Sequence, residues 1–384
     1  MAQAAVGART AVPIPFIDLQ AQRRRIDDRV RQAIDAVLAH GQFIMGPEVG
    51  RLEQQLAAYC GVKHAIGCSS GTDALVLALM ALDVRQGDAV FVPSFTFAAT
   101  AEAVALVGAM PVFVDCLERT FNMDAASLDA AIQVTKQQGK LRPAGAIAVD
   151  LFGQPADYDA IEPVLQKHGL WLVADAAQSF GSSYRGRRAG AIGKIATTSF
   201  FPAKPLGCYG DGGAIFTNDD LLAATMRSLL FHGKGADKYD NVRIGMNGRL
   251  DTLQAAILIE KLRIFDDELK ARDRIAARYS DRLRNVARVP EVIEGASSVW
   301  AQYTIMLEGR DRVAAELGRQ GIPTAIYYPK PLHRQTAYKS YPCVPGGLPV
   351  SDKIAQYVLS LPMHPYLEEA TQDRIVEAVL AAVR

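Results

Sequence analysis

The sequence predicts an α/β protein: a large domain on a mixed, mostly parallel sheet, followed by a smaller α+β domain. Three observations carry this reading. From Ala65 to Thr217 short apolar runs alternate with helical patterns, the signature of strands joined by crossover helices in a parallel sheet. Phe201 and Ala214 are joined only by residues 202–213, a segment with two prolines and four glycines. It cannot make a crossover helix, so the last two strands are expected to run antiparallel. A long helical stretch from Leu250 to about Asn285 then leads into a second alternation of strand and helix, and it is expected to link two domains.

In chain order, residues 1–15 read as a loose tail, broken by proline and glycine and without the apolar core of a signal peptide. Ile26, Val30, Ile34 and Val37–Leu38 recur at helical spacing and predict an amphipathic helix over Asp27–Leu38, with a second helix after Gly46-Pro47. Strands are expected at Ala89–Val92, Pro111–Val114, Ala146–Phe152, Trp171–Ala174, Thr197–Phe201 and Ala214–Thr217. Beyond the long helix the pattern gives a strand in Val299–Leu307, a helix in Arg310–Gln320 and a strand in Pro323–Tyr328. A Pro/Gly-rich loop to Pro349 and two final helices complete it. The predicted division is therefore a tail (1–15), a large domain (16–249), and a linking helix with a small domain (250–384).

Composition narrows the function. Hydrophobic residues make up 49% and charged residues 22%, the balance of an ordinary globular chain. Lys plus Arg number 42 against 41 Asp plus Glu, so net charge gives no reason to expect nucleic acid or an anionic membrane as partner. Apolar stretches such as Ala144–Val149 fall far short of the ~20 residues of a membrane span. The five cysteines are scattered without C-x-x-C pairing, and the histidines lack H-x-x-x-H spacing. Reduced thiols, a cytoplasmic location and no metal site are expected.

The strongest chemical signal is the run Ser199-Phe-Phe-Pro-Ala-Lys204-Pro-Leu-Gly-Cys-Tyr-Gly-Asp-Gly-Gly-Ala214. Lys204 follows an apolar strand among Phe200, Phe201, Pro202, Pro205 and Leu206. Such company disfavours the ammonium and makes the amine a candidate nucleophile for a Schiff base. Asp175 ends the strand Trp171-Leu-Val-Ala-Asp175, at the edge where open α/β sheets bind ligands. A carboxylate there suits a protonated pyridine nitrogen, although helix capping would also explain it. Cys68-Ser-Ser-Gly71-Thr72-Asp73 opens a helix, where free amides and hydroxyls can cradle a phosphate or simply cap. Phe97, in Pro93-Ser-Phe-Thr-Phe97, either stacks on a flat ring or packs in the core. Asn247 and Arg249 precede the long helix, with Asp251 as a ready salt-bridge partner for Arg249. No phosphate-binding P-loop and no G-x-G-x-x-G after the first strand is present, which counts against kinases, NTPases and nicotinamide-dependent oxidoreductases.

With these residues in place, the chain resembles the DegT/DnrJ/EryC1/StrS family of nucleotide-sugar aminotransferases. The resemblance extends from Phe16-Ile-Asp-Leu through Phe43-Ile-Met-Gly-Pro-Glu-Val to Leu361-Pro-Met-His-Pro-Tyr. It implies a fold-type-I enzyme with a seven-stranded sheet and pyridoxal 5'-phosphate as cofactor. In that family pattern Lys204 carries the cofactor as a Schiff base and acts as general base, and Asp175 contacts the ring nitrogen. Gln178 approaches the ring hydroxyl and Phe97 stacks on the ring. Gly71, Thr72 and Ser199 bind the phosphate, and Asn247 reaches it from the partner subunit of a homodimer.

Within the family, the runs Ser199–Ala214 and Arg249–Leu258 are similar to those of aminotransferases acting on UDP-2-acetamido-2-deoxy-3-oxo-glucuronate in surface polysaccharide biosynthesis. The implied substrates are a UDP-linked keto sugar and L-glutamate, with Arg249 facing the uronate carboxylate. Where some of those enzymes carry a sugar-facing histidine, this chain has Ala325-Ile-Tyr327-Tyr328-Pro329, which makes Tyr327 the candidate there. A dehydrating branch of the family replaces the lysine by histidine, so Lys204 favours transamination. The alternatives are a 4-keto-6-deoxy sugar as acceptor, or a cofactor-binding regulator without turnover. No helix-turn-helix or basic arm supports the regulator.

Overall fold

The computed structural model describes residues 13–237 and 239–384. Helices α1 (Leu19–His40) and α2 (Pro47–Cys60) lead into β1 (His64–Cys68), α3 (Gly71–Ala81), β2 (Asp88–Pro93), α4 (Ala99–Leu106), β3 (Met110–Val114), α5 (Ala125–Gln138) and β4 (Arg142–Val149). Next come α6 (Tyr158–His168), β5 (Trp171–Asp175), the two-residue strands β6 (Ser183–Tyr184) and β7 (Arg187–Arg188), β8 (Ile195–Ser199), β9 (Gly213–Thr217) and α7 (Asp220–Leu229). Helix α8 (Thr252–Leu283) precedes β10 (Tyr303–Met306), α9 (Arg310–Arg319), α10 (Pro349–Tyr357), β11 (Val358–Leu361) and α11 (Glu369–Val383).

Among the described residues the main sheet has seven strands in the order β1-β9-β8-β5-β4-β2-β3. Strands β3, β2, β4, β5 and β8 pair in parallel, while β9 is antiparallel to both β8 and β1. The mixed sheet expected from the helix-free 202–213 connection is therefore the one observed. Because β1 shares the direction of β8, the carboxyl ends of β1, β2, β4, β5 and β8 all open on one edge.

One apolar core surrounds this sheet and a second lies between β10, β11, α9 and α11. Helix α8 serves both: Leu258 and Phe265 pack in the first, and Ala276, Tyr279 and Leu283 in the second. Helix α1 runs along α8 through Ile26 and Val30. It starts earlier than its apolar spacing predicts, because Asp18 caps it by accepting the Ala21 N–H at 2.8 Å. At its other end Gly41 takes φ 70°, a left-handed stop that glycine adopts without strain. Of the predicted tail, residues 1–12 lie outside the described residues, and Ile14 is not loose but buried in the second core.

Two strand expectations need correction. The run ending at Phe152 stops at Val149, because Asp150 turns the chain. Its buried carboxylate accepts the Ala156 N–H (2.8 Å) and the hydroxyls of Tyr158 (2.6 Å) and Ser179 (2.6 Å). Pro323–Tyr328 is not a strand; only Ala325 pairs, with Ser360, through N–H···O bonds of 3.1 and 2.8 Å. The next hydrogen-bonding pair of that ladder would be Pro323 with Pro362, and neither has an N–H. The actual partner of β10 is β11, which lies between the two final helices.

Candidate active site

The residues singled out at strand ends meet at the carboxyl edge of the sheet. Asp175 ends β5 and is buried, with one carboxylate oxygen accepting the Ala177 N–H at 3.0 Å. Lys204 lies in the turn after β8, whose Lys204 N–H bonds to the Phe201 carbonyl at 2.8 Å. Burial pushes the Asp175 carboxyl above its ordinary pKa and the Lys204 ammonium below its own, and each charge partly offsets the other's shift. A half-buried amine of lowered pKa near a buried acid is suited to nucleophilic attack on an aldehyde.

Beside this pair, β1 feeds α3 through Ser69-Ser70. Ser70 caps the helix, accepting the Asp73 N–H at 3.0 Å, and the Ser69 hydroxyl donates to Asp73 at 2.5 Å. The Gly71 and Thr72 N–H groups in the first turn have no intrahelical acceptor and are free to bind an anion. A Cβ on Gly71 would lie 2.6 Å from the Ser199 Cβ, so glycine is what lets the helix start approach the end of β8. The structure thus brings Gly71, Thr72 and Ser199 into one cradle.

Gln178 is buried, and both ends of its amide are engaged. Its carbonyl accepts the Phe152 N–H at 2.8 Å, and its NH2 donates to the Tyr328 hydroxyl at 3.3 Å. The carbonyl bond fixes which way the amide faces. Phe97, after β2, is 59% exposed, so core packing does not explain it and its ring is free for a ligand. Tyr327 touches Phe16 edge-on at 6.4 Å between ring centroids and Tyr328 at 5.8 Å.

Asn247 and Arg249 take a different place. Their segment lies alongside the end of β1, with the Ser69 N–H bonded to the Gly248 carbonyl at 2.9 Å. Asn247 is exposed. The Arg249 guanidinium stacks on the Phe231 ring at 4.7 Å, and among the described residues its buried Nε–H has no partner. Among the described residues Asp251 makes no ion pair with it, so a salt bridge to that acid is not the role of Arg249.

Sequence reasoning passed over Tyr328 and Asp150. Tyr328 joins Gln178 to the small-domain loop, and the doubled tyrosine was its signal. Asp150 directly follows β4 and Asp175 ends β5, so each acid stands at the carboxyl end of its strand. The Asp150 backbone N–H bonds to the Asp175 carbonyl at 3.0 Å. A lysine amine, a buried acid, an amide cradle that a Cβ would obstruct, and an exposed aromatic together fit pyridoxal phosphate.

Comparison with known proteins agrees with this geometry. The model of the DegT/DnrJ/EryC1/StrS aminotransferase family matches residues 24–380. The UDP-2-acetamido-2-deoxy-3-oxo-D-glucuronate aminotransferase of Pseudomonas aeruginosa is 50% identical over 367 residues, covering 95% of this chain and 99% of that enzyme. A DegT DnrJ EryC1 StrS aminotransferase from Brucella abortus has a crystal structure that superposes with a TM-score of 0.95 at 56% identity, covering 96% of this chain and 99% of that one. The NtdA structure from Bacillus subtilis, with PMP bound as cofactor, superposes with a TM-score of 0.88 at 29% identity, covering 98% of this chain and 86% of that one.

Proposed function

Since the chain belongs to the DegT/DnrJ/EryC1/StrS aminotransferase family and uses pyridoxal phosphate, we propose that it transfers an amino group from L-glutamate to a UDP-linked 3-keto sugar. The acceptor in this reading is the 2-acetamido-2-deoxy-3-oxo-glucuronate on which the Pseudomonas aeruginosa relative acts. The observation that carries the reaction is the half-buried Lys204 amine and the buried Asp175 carboxyl at the open sheet edge, each charge felt by the other. When bound, the cofactor supplies an electron-accepting ring. Asp175 holds the proton on the ring nitrogen. Gln178, oriented by the Phe152 N–H, presents its NH2 to the ring hydroxyl. The Gly71 and Thr72 amides and the Ser199 hydroxyl hold the phosphate, and Phe97 covers the ring. With the cofactor bound, Nζ of Lys204 would take and return the substrate α-proton as general base.

The preference for an acid sugar rests on Arg249, whose stacked guanidinium keeps an unpaired, buried Nε–H. A planar guanidinium can hold a carboxylate through two charge-assisted hydrogen bonds, and Tyr327 lines the sugar side. Arg249→Ala is expected to weaken use of the uronate by roughly 2–5 kcal/mol while sparing a neutral 3-keto sugar. Initial rates on both sugars and on a 4-keto-6-deoxy sugar, each with glutamate, test this. Equal wild-type rates on acid and neutral 3-keto sugars, or a faster rate on the 4-keto-6-deoxy sugar, reject the uronate.

The reading includes a homodimer with shared sites, in which Asn247 reaches the partner's phosphate. Its support is exposed apolar surface: Phe43, Ile44, Met45, Val242 and Ile244 all lie open to solvent, and the Thr252 N–H bonds to the Phe43 carbonyl at 2.9 Å. Mixing inactive Lys204→Ala protein with an inactive Asn247→Ala/Arg249→Ala protein should restore activity in part of the hybrid dimers. Subunit exchange without recovery contradicts shared sites.

A further inference from the structure

Ser94 follows directly on β2, one residue before Phe95 and three before Phe97, and it is fully buried. Its carbonyl accepts the Leu332 N–H at 2.9 Å. Its hydroxyl oxygen accepts the His333 backbone N–H at 3.3 Å and lies 2.7 Å from the His333 Nδ1. On the far side of the ring, His333 Nε2 stands 3.2 Å from the Asp352 carboxylate. Arg334 also grips that carboxylate, at 2.9 and 2.5 Å.

These contacts determine the protons. Burial lowers the His333 pKa, so the ring is neutral near pH 7. A ring proton on Nε2, the nitrogen 3.2 Å from the Asp352 carboxylate, leaves Nδ1 to accept the Ser94 hydroxyl proton. Serine, histidine and aspartate in this order resemble a hydrolytic triad, but Ser94 has no exposed surface for a substrate. The arrangement is a fastener.

What it fastens is the loop that carries Tyr327 and Tyr328. The next residue on the β2 side, Phe95, meets the Tyr328 ring edge-on at 5.9 Å, and the Tyr328 hydroxyl accepts from Gln178 at 3.3 Å. Adjacent residues Ser94 and Phe95 thus hold the same loop at two points five residues apart. We propose that His333, acting through Ser94, is a positioning residue that sets the Tyr327–Tyr328 loop for the sugar and not for the amino donor. Glutamate has no nucleotide-sugar body to rest on that loop. The proposal rests on the reading above that this loop faces the sugar.

L-Glutamate in the forward direction and the amino-sugar product in reverse both convert the yellow form of the enzyme to the colourless one, so single-turnover bleaching compares them directly. The probes are L-glutamate and the 3-amino-glucuronate product, UDP-linked, run in reverse. His333→Ala and Ser94→Ala are each expected to raise the half-saturating amino sugar about tenfold, the effect of losing one buried hydrogen bond. The glutamate reaction should change less than about twofold, because the Phe152 N–H holds the Gln178 amide in place independently of the loop. His333→Asn, whose amide oxygen can accept from Ser94, should recover most of the sugar affinity. The Ser94→Ala/His333→Ala double variant should lose clearly less than the two single losses combined, the mark of one shared contact. Parallel losses for glutamate and sugar, additive losses in the double variant, or no recovery in a folded His333→Asn protein overturn the proposal. A wild type that bleaches with glutamate but not with the amino sugar overturns the substrate reading, and this proposal with it.

Discussion

Alanine at position 204 is expected to stop transamination, with a loss of at least about a thousandfold in turnover. Two separate functions depend on this one amine. As nucleophile it anchors the cofactor aldehyde, and as general base it moves the proton, which by itself is worth roughly 10²–10⁴ in rate. The setting makes both feasible. Burial drives the Lys204 pKa down against the pull of Asp175, so more of the free amine is present near neutral pH than on a surface lysine. The phosphate cradle does not involve Lys204, so the variant should still take up cofactor and lose it on dialysis. Borohydride reduction of the wild-type protein followed by peptide mapping checks the assignment. A label on Lys204 alone supports it, and a label on another lysine rejects it.

Much of this site was legible in the sequence because its residues are local to strand ends. Asp175 is the last residue of a short buried strand, and Lys204 follows the next strand across an apolar turn, so position along the chain already gives position on the sheet edge. The antiparallel β9 was legible for a similar reason: twelve residues rich in proline and glycine leave no room for a helix. What stayed hidden depends on distant partners. Val358–Leu361 is a strand only because β10 lies beside it, and its four residues sit between two helices. Pro323–Tyr328 has the composition of a strand, yet the pair that would extend its ladder from Ala325 is Pro323 with Pro362 on the facing segment, and neither has an N–H. The end of β4 was misread because Phe152 continues an apolar run, while Asp150 redirects the backbone through Tyr158 and Ser179. The clasp between Ser94 and His333 joins residues 239 apart, and no local pattern announces it.

Asp175→Asn separates a working carboxylate from a cap more cleanly than any other substitution at this site. In the structure Asp175 accepts the Ala177 N–H through one oxygen, and an asparagine carbonyl can do the same. If capping were its whole role, the variant would match the wild type in both stability and rate. The buried charge predicts otherwise on both counts. Burial raises the Asp175 pKa in the folded chain, with Lys204 only partly opposing. A carboxyl whose folded pKa lies above its unfolded one costs stability as pH rises past the unfolded value. The cofactor-free Asn variant should therefore melt higher than the cofactor-free wild type at pH 7, and the gap should close as the pH falls below the carboxylate range. Activity should move the other way. Without an anion to keep the ring nitrogen protonated, the ring accepts electrons poorly. A loss on the order of a hundredfold or more in turnover is expected, about 2.7 kcal/mol of transition-state stabilisation. Thermal melts of the cofactor-free proteins and steady-state rates of the loaded ones measure the two effects independently. A variant that is no more stable and turns over at a near-normal rate would show Asp175 to be a cap.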